Sequence, residues 1–445
     1  MAATGTSSAA KERFKYQTGF GNTFESEALP GALPKGRNNP QRCPLGLYAE
    51  QLSGTAFTAP REQNQRSWLY RIAPSVDAGA FIPAANPPPN LLADFSSIPG
   101  NPNQLRWNPL PLSTDSTQDW ADGLVTVCGS GSAEARKGVA IHMYSCSVSM
   151  TRAMVNSDGD MLIVPQQRTL TLQTEFGFLE IPPGEVCVVP RGIVFRVLLD
   201  TQKQEGAARG YVLETFNGHF SLPSLGAIGA NGLANARDFQ YPVAAFEDIE
   251  EEVTLLNKFC GRLWSRELGR SPFDVVAWHG NYAPYKYDLA NFNTMGTVSF
   301  DHPDPSIFTV LSCASDTPGE AAVDFAIFPP RWMVAENTFR PPYFHRNLMS
   351  EFMGMIHGKY DAKQGFSPGG ASLHPCMTAH GPDAATVAAA SNAVLSPHKF
   401  EGGLAFMFET SAMLKATPAA LEAPWRDSEY GACWKGIPRT FVPVG

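Results

Sequence analysis

Histidines and a carboxylate crowd one part of this sequence. Seven of the nine histidines (His279, His302, His345, His357, His374, His380 and His398) fall within a single 120-residue window. In "PPYFHRNLMSEFMGMIHGKY" (341–360), Glu351 follows His345 by six residues, and His374 and His380 come about thirty residues later in "GGASLHPCMTAHGPD". Two imidazoles and a carboxylate that leave coordination positions open are the donor set of non-haem Fe(II) oxygenases. The same set, completed by a bound water, serves zinc hydrolases. A histidine is more often a hydrogen-bonded core or surface residue, so clustering alone assigns no role. Spacing does not choose between His374 and His380 as the third donor.

A separation of six residues puts two side chains about 240° apart on a helix and about 20 Å apart along a straight strand. Metal donors must instead converge to about 2.0–2.2 Å from one ion. If His345 and Glu351 share a metal, the chain must therefore reverse or bulge within "RNLMS" (346–350). Arg346 and Asn347 would occupy that bend, Asn being tolerant of unusual backbone angles. Beyond it, "EFMGMIHGKY" alternates like a strand and should carry Glu351, Met353, Met355 and His357 on one face. Among such apolar neighbours an unpaired carboxylate is costly, which favours a partnered Glu351 over a solvated edge residue. His357 and His398 read as a strand-end and a loop histidine. His302, in "VSFDHPDPSIFTVL", sits at a proline-rich turn beside Asp301 and Asp304; it suits either a base that takes a proton from a substrate hydroxyl or a turn residue paired with an aspartate.

The elements that must position these residues read as mainly β. The chain has 445 residues, 39 glycines and 37 prolines but only 17% charged residues, which favours short strands and ordered loops over helical bundles. Strand candidates follow one another at 161–164, 169–174, 178–181, 186–189 and 194–198, each closed by Gly or Pro, the texture of a sandwich or jelly roll. Residues 1–15 read as a flexible leader, the stretch between Pro74 and Trp107 as a long surface loop, "GSGSAEARKG" (129–138) as a loop, and "FEDIEEEVT" as a solvated connection. One helix is expected where Asp383 caps the Ala-rich "PDAATVAAASNAV". "PPGEVCVVPRGIVFRV" looks like the second half of a cupin motif with Phe195 where the metal histidine belongs. That places any metal in the other half of the chain.

The net charge of −8, without a block of Lys or Arg, argues against nucleic acid as a partner. The sequence contains neither a run of 18 apolar residues nor an apolar stretch ahead of the first charges, so a soluble, cytoplasmic protein is expected. The eight cysteines lie at least 18 residues apart, which removes paired-cysteine zinc and redox motifs and fits reduced thiols.

Several longer strings carry a resemblance: "FPPRWMVAENTFRPPYFHRN", "FHRNLMSEFMG", "VSFDHPDPSIFTVL", "SLHPCMTAHGPD" and, earlier, "GFGN", "LYAEQLSGTAF", "SWLYRI" and "GANGLANARDF". In order from about Tyr16 to Phe441, the chain resembles the homogentisate 1,2-dioxygenase family. The resemblance implies a β-rich N-terminal domain (16–288, with a metal-free cupin-like barrel within about 156–240) and a cupin-like catalytic domain (289–445). It implies Fe(2+) held by His345, Glu351 and His380, His302 as catalytic acid/base, and Tyr360 binding substrate beside the metal. His380, Tyr343, Asn347 and His374 are further substrate-side expectations. Substrates would be homogentisate and O2, the product maleylacetoacetate, and the assembly a homohexamer built from two trimers. Phe344 stands where the family often has a second tyrosine; Tyr343 remains, so the reaction type is expected to hold. The competing readings are a cupin-type metal-dependent hydrolase or isomerase using the same three residues, and a non-enzymatic binding bicupin.

Overall fold

The computed structural model describes residues 13–200, 206–296, 299 and 301–444. Of the expected leader only 13–15 lie among them, and Val298 and Phe300, just before His302, lie outside them.

The fold is mainly β. The five clustered strand candidates become Asp160–Gln167, Leu170–Thr174, Gly177–Ile181, Glu185–Val189 and Val194–Leu198. The first and fourth join a nine-stranded sheet, and the other three a seven-stranded one. Met161 to Val164 are fully buried without alternation, as expected when both faces of a strand are covered. Phe195 is fully buried, edge-on to Trp120 at 5.7 Å, so an apolar contact occupies the position of the motif's missing histidine.

The sheet that carries Glu351 and His374 is built from seven strands: β1 (Leu105–Trp107), β2 (Phe220–Ser221), β3 (Thr309–Ala314), β4 (Ala321–Phe328), β5 (Ser350–Gly358), β6 (Ala371–His374) and β7 (Gly403–Thr410). Their order is β2-β3-β4-β7-β5-β6-β1. Both edge strands come from far upstream in the chain. Helix α1 (Ala384–Ser391) is capped by Asp383, whose side chain accepts from the Thr386 amide, as its sequence suggested.

Three expectations fail locally. The stretch between Pro74 and Trp107 is not all surface loop: it buries Leu91, Ala93 and Phe95 and ends in the buried strand Leu105–Trp107, whose apolar side chains pack into the core. "GSGSAEARKG" is largely strand: Gly129–Ser132 end one strand, Lys137 begins its partner, and only 133–136 turn. Gly131 and Gly138 face each other, and a Cβ on Gly131 would lie 2.0 Å from the Lys137 carbonyl. The glycines answer to that close approach rather than to a flexible loop. In β5 the pairing with β7 shifts between Met355 and His357, and residues 350–356 are buried on both faces while His357 is exposed. His357 therefore leaves the face it was expected to share with Glu351.

Candidate metal centre

β5 fixes Glu351 between two neighbours, His374 on β6 and Glu409 on β7. Upstream, His345 forms an isolated antiparallel bridge with His380, their amides and carbonyls exchanging hydrogen bonds of 3.0 and 3.1 Å. The bend between His345 and Glu351 is real, but Asn347 makes it with ordinary backbone angles. The positive φ falls on Met377 (+60°), whose amide donates to the Asn347 carbonyl. Asn347 acts instead through its side chain: Oδ1 accepts from the Met349 amide at 3.0 Å, and Nδ2 donates to Glu351 Oε1 at 3.2 Å and to Glu409.

Three donors converge. His345 Nε2 lies 3.3 Å from Glu351 Oε1, and His380 Nε2 lies 2.9 Å from Glu351 Oε2. Each imidazole donates from Nδ1 to the carbonyl two residues before it, Tyr343 at 2.8 Å and Thr378 at 2.9 Å. Those tethers put the hydrogen on Nδ1 and leave the Nε2 lone pairs turned inward, the arrangement that orients metal-binding histidines. The three donor atoms lie within 4.8 Å of one another, a compactness that one ion can span with bonds of about 2.0–2.2 Å. Burial pushes the Glu351 carboxyl up, yet His345, His374 and His380 together hold it well below the usual carboxylate range. His345 is raised, chiefly by its hydrogen bond to Glu351.

The trio opens on a cavity of about 510 Å³ whose apolar lining includes Phe308, Phe328, Met353 and Met407. Tyr360 lines it, packed edge-on to Phe328 and Phe366, and its hydroxyl bonds to no described residue. Tyr343 stands between His302 and His345, 5.5 Å from each ring, with its hydroxyl on Asp304. His302 also lines the cavity, its Nδ1 2.9 Å from the Pro303 carbonyl and Nε2 2.7 Å from that of Arg340. The aspartate pairing considered for its ring is thus absent, and Asp301 accepts from its backbone amide instead. His357 is exposed; His398, also exposed, begins the short strand His398–Phe400 rather than lying in a loop, and contacts Arg340 at 3.2 Å.

Behind the trio, the expected pocket residue His374 meets two residues that gave no signal in the sequence, Lys363 and Tyr430. His374 is buried behind the trio, its ring stacked on His380 at 4.1 Å. Its Nε2 meets Lys363 Nζ at 3.1 Å and the Tyr430 hydroxyl at 2.9 Å. Burial, reinforced by Arg106, pushes the Lys363 ammonium down to about 7. Glu409, pushed up to about 7 by burial, was legible in principle as a carboxylate inside the apolar "LAFMFET" strand.

A second cavity of about 440 Å³ lies in the N-terminal half around Arg71. Its central arginine is already matched: Arg71 is 2.7 Å from Asp274, 2.8 Å from Glu50 and 3.4 Å from Glu175. It offers no comparable set of inward lone pairs.

Among solved structures, the chain is similar to protein Ylba from E. coli, at 8% identity over 71% of this chain and 94% of that one, TM-score 0.30. It is similar to a single-site mutant of Bacillus subtilis oxalate decarboxylase OxdC, at 9% identity over 72% and 81%, TM-score 0.29. A cupin-2 domain containing protein from Shewanella frigidimarina matches at 13% identity over 17% and 70%, TM-score 0.15. Likenesses of that size say nothing about the site. Residues 15–289 match the family model described as homogentisate 1,2-dioxygenase N-terminal, and residues 290–441 match its C-terminal counterpart. With the two models spanning nearly all of its length, the chain belongs to the homogentisate 1,2-dioxygenase family.

Proposed function

We propose that this ring-cleaving dioxygenase is a ferrous enzyme in which His345, Glu351 and His380 hold the metal and His302 handles the substrate proton. The observation that carries the reading is the pair of Nδ1-tethered histidines presenting Nε2 to the two oxygens of one buried carboxylate. Fe(2+) held there would supply open positions for a phenolic oxygen and dioxygen and relay electrons from the ring to dioxygen. Homogentisate and O2 combine to maleylacetoacetate, which retains both oxygen atoms, as a step of tyrosine and phenylalanine catabolism.

The chain's own groups then have separable tasks. The phenylalanines and methionines of the cavity exclude water from the ring, and the unpartnered Tyr360 hydroxyl offers the substrate a polar contact beside the trio. Tyr343 gives a second, near the mouth. Asn347 and His374 line the cavity too, but their donors face Glu351, so they support the metal side of the pocket more than the substrate side. A neutral imidazole can donate to only one of the two carbonyls that His302 faces. Its action as a base therefore begins with the ring leaving one carbonyl for the substrate hydroxyl. The reading extends to domains at 16–288 and 289–445, a cytoplasmic location and a homohexamer of two trimers.

Oxygen uptake with homogentisate, measured on metal-stripped protein with and without added ferrous ion, tests the assignment. Uptake restored by ferrous ion and not by zinc is expected. Homogentisate-dependent uptake that ignores ferrous ion, or zinc-supported hydrolysis in its place, would overturn it.

A further inference from the structure

Two histidines border Glu351 Oε2, yet only one belongs to the donor trio. His380 presents Nε2 at 2.9 Å, whereas His374 presents Nδ1 at 3.6 Å, and that nitrogen has no hydrogen-bond partner although fully buried. What separates the two lies on the far side of His374. There Lys363 Nζ is 3.1 Å from Nε2 and donates to the Tyr430 hydroxyl at 2.9 Å. Lys363 is itself buried, at 7% exposure.

An ammonium has three donors and no acceptor. While Lys363 is an ammonium, Nε2 is the acceptor that faces it and the Tyr430 hydroxyl at 2.9 Å, so the ring's single hydrogen goes to Nδ1, the nitrogen aimed at Glu351. We infer that Lys363 is a positioning residue that keeps the His374 hydrogen on Nδ1, the nitrogen facing Glu351, and so keeps that nitrogen from becoming a fourth protein ligand. With the hydrogen moved to Nε2, the Nδ1 lone pair would point at the metal side of Glu351 and compete for a position that substrate and oxygen need. Lys363 thus acts through His374, and it resolves physically which of His374 and His380 ligates.

This inference rests on the reading that the trio binds a divalent metal, and the two can fail separately. Co(II) affinity of metal-stripped full-length protein is measured against a competing chelator for the parent, K363M, K363R, H374A and K363M/H374A. A parent that binds no Co(II) defeats the metal reading itself. Given parental binding, K363M is expected to tighten Co(II) affinity about 10- to 100-fold, the size of effect that groups behind a metal site exert, because His374 Nδ1 becomes free to join the trio, and to alter the visible Co(II) spectrum as the coordination changes. K363R, which still turns only donors toward Nε2, stays within a few-fold of the parent. In the H374A background K363M should add nothing, because the route through His374 is gone. Where K363M does not fold, K363Q, able to offer His374 an acceptor, replaces it with the same expectations. Unchanged affinity and spectrum in a folded Lys363 variant, weaker binding in place of tighter, or effects that simply add in the double variant, would overturn the inference.

Discussion

The two halves of the molecule each bury a carboxylate against histidine, and they neutralise it in opposite ways. In the N-terminal half Glu214 takes Lys258 Nζ at 2.8 Å and Asn156 Nδ2 at 2.7 Å on one oxygen and His142 Nε2 at 3.2 Å on the other. Lys258 also reaches Asp158 at 2.7 Å. The cation is built in, both oxygens are engaged, and the Glu214 carboxyl, which burial would push up, is held down at about 2 by Lys258 and His142. In the C-terminal half the lysine stands one residue further back, behind His374, and Glu351 faces two outward-tethered imidazoles. A lysine on the carboxylate makes a structural knot; a lysine behind a histidine leaves the carboxylate able to bind an external cation.

That contrast can be broken at four points, in falling order of effect. His345→Ala should remove metal and turnover together, a loss of more than about 10³-fold in rate of the size expected when a catalytic electrostatic centre goes, checked by metal content and oxygen uptake on one preparation. His302→Phe should keep parental metal content and lose about 10²- to 10⁴-fold in turnover, the usual share of a proton-transferring group; loss of metal would show that His302 is structural. Glu214→Gln leaves Lys258 buried with half its counter-charge, and breaking such a pair costs about 3–5 kcal/mol. Denaturant unfolding should show that loss while metal content per folded chain stays unchanged.

The smallest effect concerns His219. Its Nδ1 lies 2.8 Å from Asp160 and its Nε2 2.7 Å from the Gly54 carbonyl, so both nitrogens donate and the ring is charged. Burial and Arg191 oppose that charge, but Asp160 and the carbonyl raise the histidine above its ordinary 6.5. A raised histidine contributes stability that is complete below the unfolded value and disappears as pH rises through the folded one. Stability should therefore fall by about 1.5 kcal/mol between neutral and mildly alkaline pH, the scale of one charge-assisted hydrogen bond. His219→Gln should lack that slope in urea titrations.

Much of this was legible because it is local. The five strands at 160–198 announced themselves through short apolar runs closed by glycine and proline, and Asp383 capped its helix as its position suggested. The spacing of His345 and Glu351 demanded a bend, and the bend exists. What the sequence withheld depends on pairing across distance. The His345–His380 bridge spans 35 residues, and Lys363 reaches Tyr430 across 67. No periodicity links such positions. The glycines of 129–131 misled for the same reason, since the strand that requires them small is their partner's.

One edge of the catalytic sheet bears on how this enzyme can be cut. β1 pairs with β6, the strand that delivers His374, and from it Arg106 lies 4.0 Å from the centre of the Tyr430 ring. Residues 290–441, expressed alone, would therefore lack the outer strand that braces Lys363's partners, and its exposed strand edge would invite aggregation. The family models divide the sequence near residue 289, but a separable catalytic fragment would have to carry Leu105–Trp107 with it, as a grafted strand or an added peptide.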